Sequence, residues 1–212
     1  SKNADVRAEK IKSSVDDLSI KFTLVADNDS VEICIPIFGE HNVMNALAAA
    51  ACCVSLDISL QAIKNGLENI SSIKGRLEIK IGKRQVRIID DTYNANPVSL
   101  DAAVKTLCSF NGAHYIVLGD MGELGREAKK FHKEVGVLAK KRKVDGLFTI
   151  GNLSINASDG FGEGAFHFEN YDDLGKLLEK TLDKNSTVLV KGSRSMEMER
   201  VVDALMGNNR KC

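Results

Sequence analysis

The chain has 212 residues, with a hydrophobic content of 43% and a charged content of 27%, values typical of a folded globular protein. Lys and Arg (29) balance Asp and Glu (29), so no net charge attracts nucleic acid or an acidic membrane. No apolar run is long enough to span a membrane, and the first residues do not resemble a signal peptide. We therefore expect a cytoplasmic protein without a nucleic-acid partner.

The cysteines and histidines predict no metal site. Five cysteines without CxxC spacing favour small buried thiols over a disulfide framework or a zinc site. The four histidines are far apart and form no HExxH or HxH pattern. P-loop, protein-kinase and GxSxG motifs do not occur either, so we predict no self-sufficient phosphoryl-transfer or hydrolytic centre and assign no catalytic residue.

The first third of the chain alternates polar and apolar residues and then changes to helical spacing. This pattern predicts a β-hairpin, two helices and a Ser-, Gly- and Lys-containing linker. In order, these are strands at 19–26 and 30–37 around a turn at 27–29, helices at 41–57 and 60–68, and the linker at 69–84.

From residue 85 onward, short apolar strands alternate with amphipathic helices. Such alternation is typical of a mostly parallel sheet covered by helices. One predicted helix carries the stripe Leu100, Ala103, Val104, Leu107 and Cys108. The second half is therefore predicted to be a Rossmann-like α/β domain, with strands at 86–90, 114–118, 146–150, 165–168 and 187–190.

Three loops follow strands of this predicted sheet, at 91–97, 119–125 and 191–195. Ligands of open α/β sheets bind beyond the carboxyl ends of the strands. We expect the three loops to emerge at one edge of the sheet.

The first of these loops combines a helix start with polar groups. Asn96 is suited to cap a helix and Pro97 to occupy its first position. Capping does not explain Asp91, which is suited to accept ribose hydroxyls, or Tyr93 and Asn94, which are suited to hold a polar ligand. We therefore interpret this loop as a candidate ligand site.

The other two loops are ambiguous on their residues alone. Gly119, Gly122 and Gly125 do not form the GxGxxG fingerprint of dinucleotide sites, so tight turns are an equal explanation. Lys191 and Arg194 surround a glycine at a helix start, which suits a phosphate or carboxylate. A solvated basic loop explains the same spacing equally well.

Five segments, taken together, resemble one known family. They are GEHNVMNALAAAA, KGRLE, DDTYNANPVSLDAAV, VLGDMGELG and VLVKGSRSMEME. In this order and spacing the chain is similar to the Mur ligases, and among them to the branch that adds D-Ala-D-Ala in peptidoglycan synthesis. The helix motif is shared with folylpolyglutamate synthases, whereas DDTYNANP, LGDMGELG and KGSRSMEME are much more specific to that branch.

The resemblance implies an architecture and a reaction. Residues 1–75 resemble the C-terminal part of the central ATP-binding domain, a β-hairpin plus helices, and residues 76–212 the complete Rossmann-like C-terminal domain. The implied reaction is ATP-dependent amide formation between UDP-MurNAc-tripeptide and D-Ala-D-Ala through an acyl phosphate. The P-loop and the Mg²⁺ ligands are expected upstream of residue 1, so the chain alone is expected to be inactive.

The resemblance also assigns roles to individual residues. On spacing alone, His41, Asn42 and Asn45 are better explained as a helix start. Two groups of contacts are implied. The ATP contacts are His41, Asn42, Asn45, Arg76 and Asp91, and the D-Ala-D-Ala contacts are Tyr93, Asn94, Asn96, Ser99, Lys191, Ser193 and Arg194.

Two other hypotheses remain open. The chain is alternatively part of another Mur ligase or of a folylpolyglutamate synthase, which the branch-specific motifs disfavour. It is alternatively a stand-alone nucleotide- or peptide-binding module. The expected lone hairpin disfavours a module, because an isolated two-stranded hairpin is only marginally stable in water.

Overall fold

The computed structural model describes residues 4–15, 17–27, 29–71 and 73–208. The chain divides into two compact units, Ser1–Ser72 and Ile73–Cys212. The strands are β1 Val6–Ser14, β2 Ser19–Ala26, β3 Asp29–Ile35, β4 Glu78–Ile81, β5 Arg87–Asp91, β6 Ala113–Gly119, β7 Gly146–Ile150, β8 Ala165–Phe168 and β9 Ser186–Lys191. The α-helices are α1 His41–Val54, α2 Leu60–Glu68, α3 Pro97–Leu107, α4 Ala128–Lys141, α5 Ile155–Phe161, α6 Tyr171–Thr181 and α7 Glu199–Met206. Within the described ranges, every helix is too short or too polar to cross a membrane.

The first unit is a three-stranded antiparallel sheet with two helices. The strand order is β1-β2-β3, so the predicted hairpin is present but the expectation that it stands alone is wrong. Its predicted turn includes Asn28, which lies outside the described residues. Because β1 pairs along the free edge of β2, the hairpin supplies no argument against a stand-alone module.

The core of the first unit follows the two periodicities of its sequence. Phe22 and Leu24 of β2 are buried together with Val43 and Ala46 of α1. Positions two apart share one face of a strand, and positions three apart share one face of a helix. The helix α1 ends at Val54, three residues before the predicted end.

The second unit is the predicted α/β domain. Its six-stranded sheet has the order β4-β5-β9-β6-β7-β8, and all strands from β5 to β8 in this order run parallel. Strand β4 pairs antiparallel with β5, which corrects the prediction of a linker through residue 84. The Rossmann-like fold class is confirmed.

The amphipathic stripes of this unit are buried as predicted, whereas the cysteines are not. Leu100, Ala103, Val104 and Leu107 are buried on α3. Four free cysteines are described, and each is partly or fully exposed; they are Cys34, Cys52, Cys53 and Cys108, while Cys212 lies outside the described residues. The prediction of buried thiols is therefore wrong for the described cysteines.

Candidate functional site

Three strand-end loops meet at one edge of the large sheet. Strand β9 lies between β5 and β6, parallel to both. Asp91, the last residue of β5, is in register with Lys191, the last residue of β9. The loops 91–97, 119–125 and 191–195 therefore begin side by side, which confirms the predicted convergence.

A buried ion pair links the first and third loops. The ammonium of Lys191 donates to Oδ2 of Asp91 and to the backbone carbonyl of Asn94, the latter at 2.9 Å. Oδ1 of Asp91 accepts the amide of Leu77 at 3.2 Å. Burial lowers the pKa of Lys191, although Asp91 opposes this shift and Arg76 adds to it. The structure thus gives both charged side chains partners within the fold, and their binding roles stay predictions.

An arginine lies against the exposed aromatic ring of the first loop. The guanidinium of Arg76 lies 4.4 Å from the ring centroid of Tyr93. Tyr93 is 49% exposed. The carbonyl of Gly75 accepts the amide of Tyr93 at 3.0 Å. Gly75 has φ +71°, and a Cβ there would lie 3.1 Å from Oγ1 of Thr92. Only glycine fits this close approach of residue 75 to the loop after β5 without strain. The backbone bond between Gly75 and Tyr93 therefore holds the adjacent Arg76 beside Tyr93.

The start of α3 is a complete capping box. Oδ1 of Asn96 accepts the amide of Ser99 at 2.8 Å, and Oγ of Ser99 accepts the amide of Asn96 at 3.2 Å. Pro97 occupies the first turn. The predicted cap is confirmed, and it accounts for two residues that the resemblance assigns to the dipeptide. Asn94 also uses its side chain locally, since its Oδ1 accepts the amide of Ala95 at 2.8 Å.

The loop after β9 contains one buried polar residue, Ser193, and two exposed ones, Arg194 and Ser195. Ser193 is 6% exposed, and its hydroxyl lies 3.1 Å from that of Ser195. Arg194 is exposed and is held by both carboxylate oxygens of Glu199, one of them at 3.1 Å. Of the predicted cations in this loop, Arg194 rather than Lys191 has its side chain in solvent.

Sequence reasoning left the glycine-containing second loop open between tight turns and a ligand site, and it missed the two anchors of this loop, Asp120 and His132. The carboxylate of Asp120 accepts three consecutive backbone amides of the loop after β7, as described below. The imidazole of His132 is completely buried; its Nε2 accepts the amide of Met121 at 2.9 Å, and its Nδ1 lies 2.7 Å from the carbonyl of Ala128. This pattern requires the neutral tautomer with the proton on Nδ1. The strand-end position of Asp120 was the available signal.

The remaining predicted residues lie on the first unit, at the start of α1. Asn42 donates to the carbonyl of Phe38 at 2.9 Å, and Asn45 donates to Oδ1 of Asn42 at 3.1 Å. The N-cap residue is Glu40, and its side chain makes no capping hydrogen bond. The interpretation of these asparagines as caps is therefore wrong. They form a polar turn together with the half-buried His41.

Each unit, taken by itself, carries polar groups that suit part of a nucleotide in chemical type. The exposed side chain of Asn45 offers both donor and acceptor groups, as an adenine edge requires. The guanidinium of Arg76 lies over the ring of Tyr93 and Arg76 is exposed, so its N–H groups suit a phosphate. Within the described ranges, no three His, Cys, Asp or Glu side chains form a group that would hold a metal ion.

Comparison with known proteins identifies the family. Residues 75–194 match the family described as "Mur ligase, glutamate ligase domain", and residues 1–53 match the Mur ligase middle domain. The chain belongs to the Mur ligase family. The first of these matches places the three strand-end loops, up to Arg194, inside the Mur ligase homology.

Individual Mur ligases extend this similarity. The UDP-N-acetylmuramoyl-tripeptide–D-alanyl-D-alanine ligase of Escherichia coli K12 is 40% identical over 211 residues, covering 97% of this chain and 45% of the relative. A crystal structure of MurF from Acinetobacter baumannii has a TM-score of 0.87 and 34% identity, covering 98% of this chain and 46% of that one. The fold also matches MurF of Thermotoga maritima in complex with ADP, at 22% identity, a TM-score of 0.83 and coverage of 98% and 47%. The chain thus spans less than half the length of these Mur ligases.

Proposed function

We propose that this Mur ligase chain belongs to an ATP-dependent enzyme that joins D-Ala-D-Ala to UDP-MurNAc-tripeptide in the cytoplasm. The observation that carries the proposal is the 40% identity, across 97% of the chain, to a ligase named for this reaction. The motifs typical of the D-Ala-D-Ala-adding branch are DDTYNANP, LGDMGELG and KGSRSMEME. They lie in or next to the three loops that meet at one edge of the sheet. Domain boundaries at 1–75 and 76–212 are part of the same proposal.

The proposed reaction proceeds in two steps. The terminal carboxylate of the tripeptide attacks the γ-phosphate of ATP, which forms an acyl phosphate and releases ADP. The amine of D-Ala-D-Ala then attacks the acyl carbon, forms the amide and releases phosphate. Binding energy is needed mainly to hold the three substrates in reactive geometry and to exclude water.

The chain's own residues take positioning roles in this reaction. Arg76 binds ATP phosphates by its rim N–H groups, and the turn formed by His41, Asn42 and Asn45 contacts the adenine. Asp91 approaches the ribose from its buried position beside Lys191. ATP acts as substrate, and Mg²⁺ neutralises its phosphates when bound. In the part of the chain that the structure describes, no cluster of His, Cys, Asp or Glu side chains would hold this ion, so the roles proposed for these residues do not include metal binding.

The D-Ala-D-Ala side of the proposed site is formed by the loops after β5 and β9. The exposed groups that contact the dipeptide are Tyr93, Asn94, Asn96 and Arg194. Ser99 supports them through the capping box of α3, and the buried Lys191 and Ser193 support them from within the fold. The Arg194 guanidinium suits the dipeptide carboxylate. In this proposal its ion pair with Glu199 keeps the guanidinium oriented before the substrate arrives.

The test is a phosphate-release assay on the full-length gene product that contains this chain. Release is expected only when ATP, UDP-MurNAc-tripeptide and D-Ala-D-Ala are all present, and L-Ala-L-Ala serves as the control amine. Release that does not depend on D-Ala-D-Ala would refute the proposed substrate. Absence of ATP-dependent release with every substrate present would refute the ligase itself.

Substitution of Arg76 tests the phosphate assignment. R76A is expected to raise KM for ATP or lower kcat by about tenfold or more, since a hydrogen-bonded charge contributes about 1.5–3 kcal/mol. Arg87 is a matched control, because it also stacks on a ring, Phe110, at 4.6 Å, but lies at the first residue of β5, the opposite end from Asp91. R87A is expected to leave both constants unchanged. Equal effects of R76A and R87A would show that Arg76 acts through stability alone.

A further inference from the structure

Asp120 connects all the loops that follow β6, β7 and β9. Its carboxylate accepts the backbone amides of Asn152 at 3.0 Å, Leu153 at 2.9 Å and Ser154 at 2.7 Å. Its backbone carbonyl accepts the amide of Ser193 at 2.9 Å. One residue therefore ties its own loop to both neighbouring loops.

The backbone around Asp120 is shaped for this connection. A Cβ on Gly151 would lie 2.4 Å from Oδ1 of Asp120, and the φ of Gly151 is +122°. A Cβ on Gly192 would lie 3.2 Å from Cα of Gly119. Both glycines thus permit approaches that a side chain would prevent, on the two sides from which the neighbouring loops reach Asp120.

A helix-capping role alone does not explain this geometry. A cap would account for the carboxylate and the amides before α5, but not for the carbonyl bond to Ser193. The peptide after Asp120 is also fixed, since the amide of Met121 donates to buried His132 at 2.9 Å. With its side chain and the following peptide both held, Asp120 has little freedom to move its carbonyl away from Ser193.

We propose that Asp120 is a positioning residue that fixes the loop after β9 for binding of the dipeptide amine substrate. This inference rests on the proposed function, in which Ser193 and Arg194 belong to the D-Ala-D-Ala side of the site. The carboxylate anchors Asp120 to the loop after β7, and the anchored carbonyl sets the position of Ser193. Asp120 itself does not contact substrate.

The first test is D120N in the full-length ligase. Asparagine keeps one acceptor oxygen but turns an NH₂ group towards a backbone amide, so at least one of the three bonds is lost. KM for D-Ala-D-Ala is expected to rise about tenfold, with KM for ATP changed less than twofold. Asp183 is the matched control, since its carboxylate accepts the amide of Asn185 at 2.9 Å and the hydroxyl of Ser186, the first residue of β9. D183N is expected to change neither constant.

A second pair of variants tests the carbonyl bond without touching the carboxylate. Ser193 has φ −65°, a value that proline adopts, so S193P removes the amide donor and the hydroxyl whereas S193A removes the hydroxyl alone. S193P is expected to have a KM for D-Ala-D-Ala about tenfold above that of S193A. The double variant D120N/S193P is expected to be no worse than S193P. The comparison of S193P with S193A tests the carbonyl bond even if D120N fails to fold.

Hydrogen exchange of the same full-length proteins supplies a readout independent of ligation. D120N is expected to accelerate exchange about tenfold or more at 152–154 and also at Ser193. Faster exchange confined to 152–154 would overturn the proposal for Asp120, and so would an equal KM for D-Ala-D-Ala in S193P and S193A. If the wild-type enzyme is active in the same assays, either result leaves the proposed function intact. A wild-type enzyme without D-Ala-D-Ala-dependent release would refute the proposed function, and with it the assigned role of Asp120.

Discussion

Replacing Lys191 with methionine tests how the site loops are held together. The Lys191 side chain is 2% exposed and that of Asp91 is 11% exposed, so the pair is buried. Exposed ion pairs contribute about 0–1 kcal/mol, whereas removing one partner of a buried pair costs about 3–5 kcal/mol because the other charge is left uncompensated. K191M also leaves the carbonyl of Asn94 without the ammonium donor. We expect it to lower the free energy of unfolding of the second unit by about 3–5 kcal/mol at pH 7.

Urea unfolding monitored by circular dichroism measures this loss. The matched control is K176M, since Lys176 pairs with Asp173 at 2.8 Å while their side chains are 71% and 58% exposed. K176M is expected to change the free energy of unfolding by less than about 1 kcal/mol. The double variant D91N/K191M removes both charges of this pair, and the new amide oxygen can still accept the Leu77 amide.

The double variant separates a coupled pair from two independent contributions. We expect D91N/K191M to be more stable than K191M alone, because replacing both partners of a buried pair is often nearly neutral. A K191M loss no larger than that of K176M would refute the assignment of a buried, structurally important pair. The coupling would be refuted if the stability lost in D91N/K191M equals the sum of the losses measured for D91N and K191M separately.

Two further predictions concern helix packing and acid stability. G136A is expected to destabilise the second unit by about 1–3 kcal/mol, because a Cβ on Gly136 would lie 1.9 Å from a backbone carbonyl of α5. A Cβ on Gly175 would meet nothing within 4 Å, so G175A is expected to stabilise the unit by about 0.5–1 kcal/mol in the same urea assay. A similar response of both variants would refute the packing argument. The pKa of Asp101 is lowered from 3.8 by Lys105 and then Arg142, against an opposing effect of burial, so the folded state binds this proton less tightly than the unfolded state. D101N is therefore expected to be less stable than wild type at pH 7 by up to about 1 kcal/mol, with the difference in urea midpoint shrinking as the pH falls below 3.8; a difference that persists in acid would exclude the carboxylate as its cause.

The regular parts of the fold could be predicted because each has a clear period. The predicted strands at 146–150 and 165–168 and the helix at 60–68 have the observed bounds. Strand β1 was missed because its sequence, VRAEKIKSS, is charged and half-buried or exposed along its length. Val6 and Ala8 pack against the core, but the register shifts between Glu9 and Lys12, so the apolar alternation is too short for its period to be read.

The site could be predicted at the level of loops but not of contacts. Parallel strands explain why the loops after β5, β6 and β9 meet. The pairing of Lys191 with Asp91 depends on the register of two strands 100 residues apart, and sequence spacing gives no register over that distance. For the same reason the three amides bound by Asp120 could not be anticipated.

The DDTYNANP loop shows why a motif match does not by itself identify ligand contacts. Asp91 is tied to Lys191, and Asn96 completes a capping box, so much of the motif sets the shape of the loop. By contrast, Tyr93 and Arg76 are both exposed. Substitutions at Asp91 and Asn96 are therefore expected to lower stability as well as change substrate constants, whereas those at Tyr93 and Arg76 are expected to change substrate constants alone. Measuring unfolding and kinetics on the same variants separates these roles.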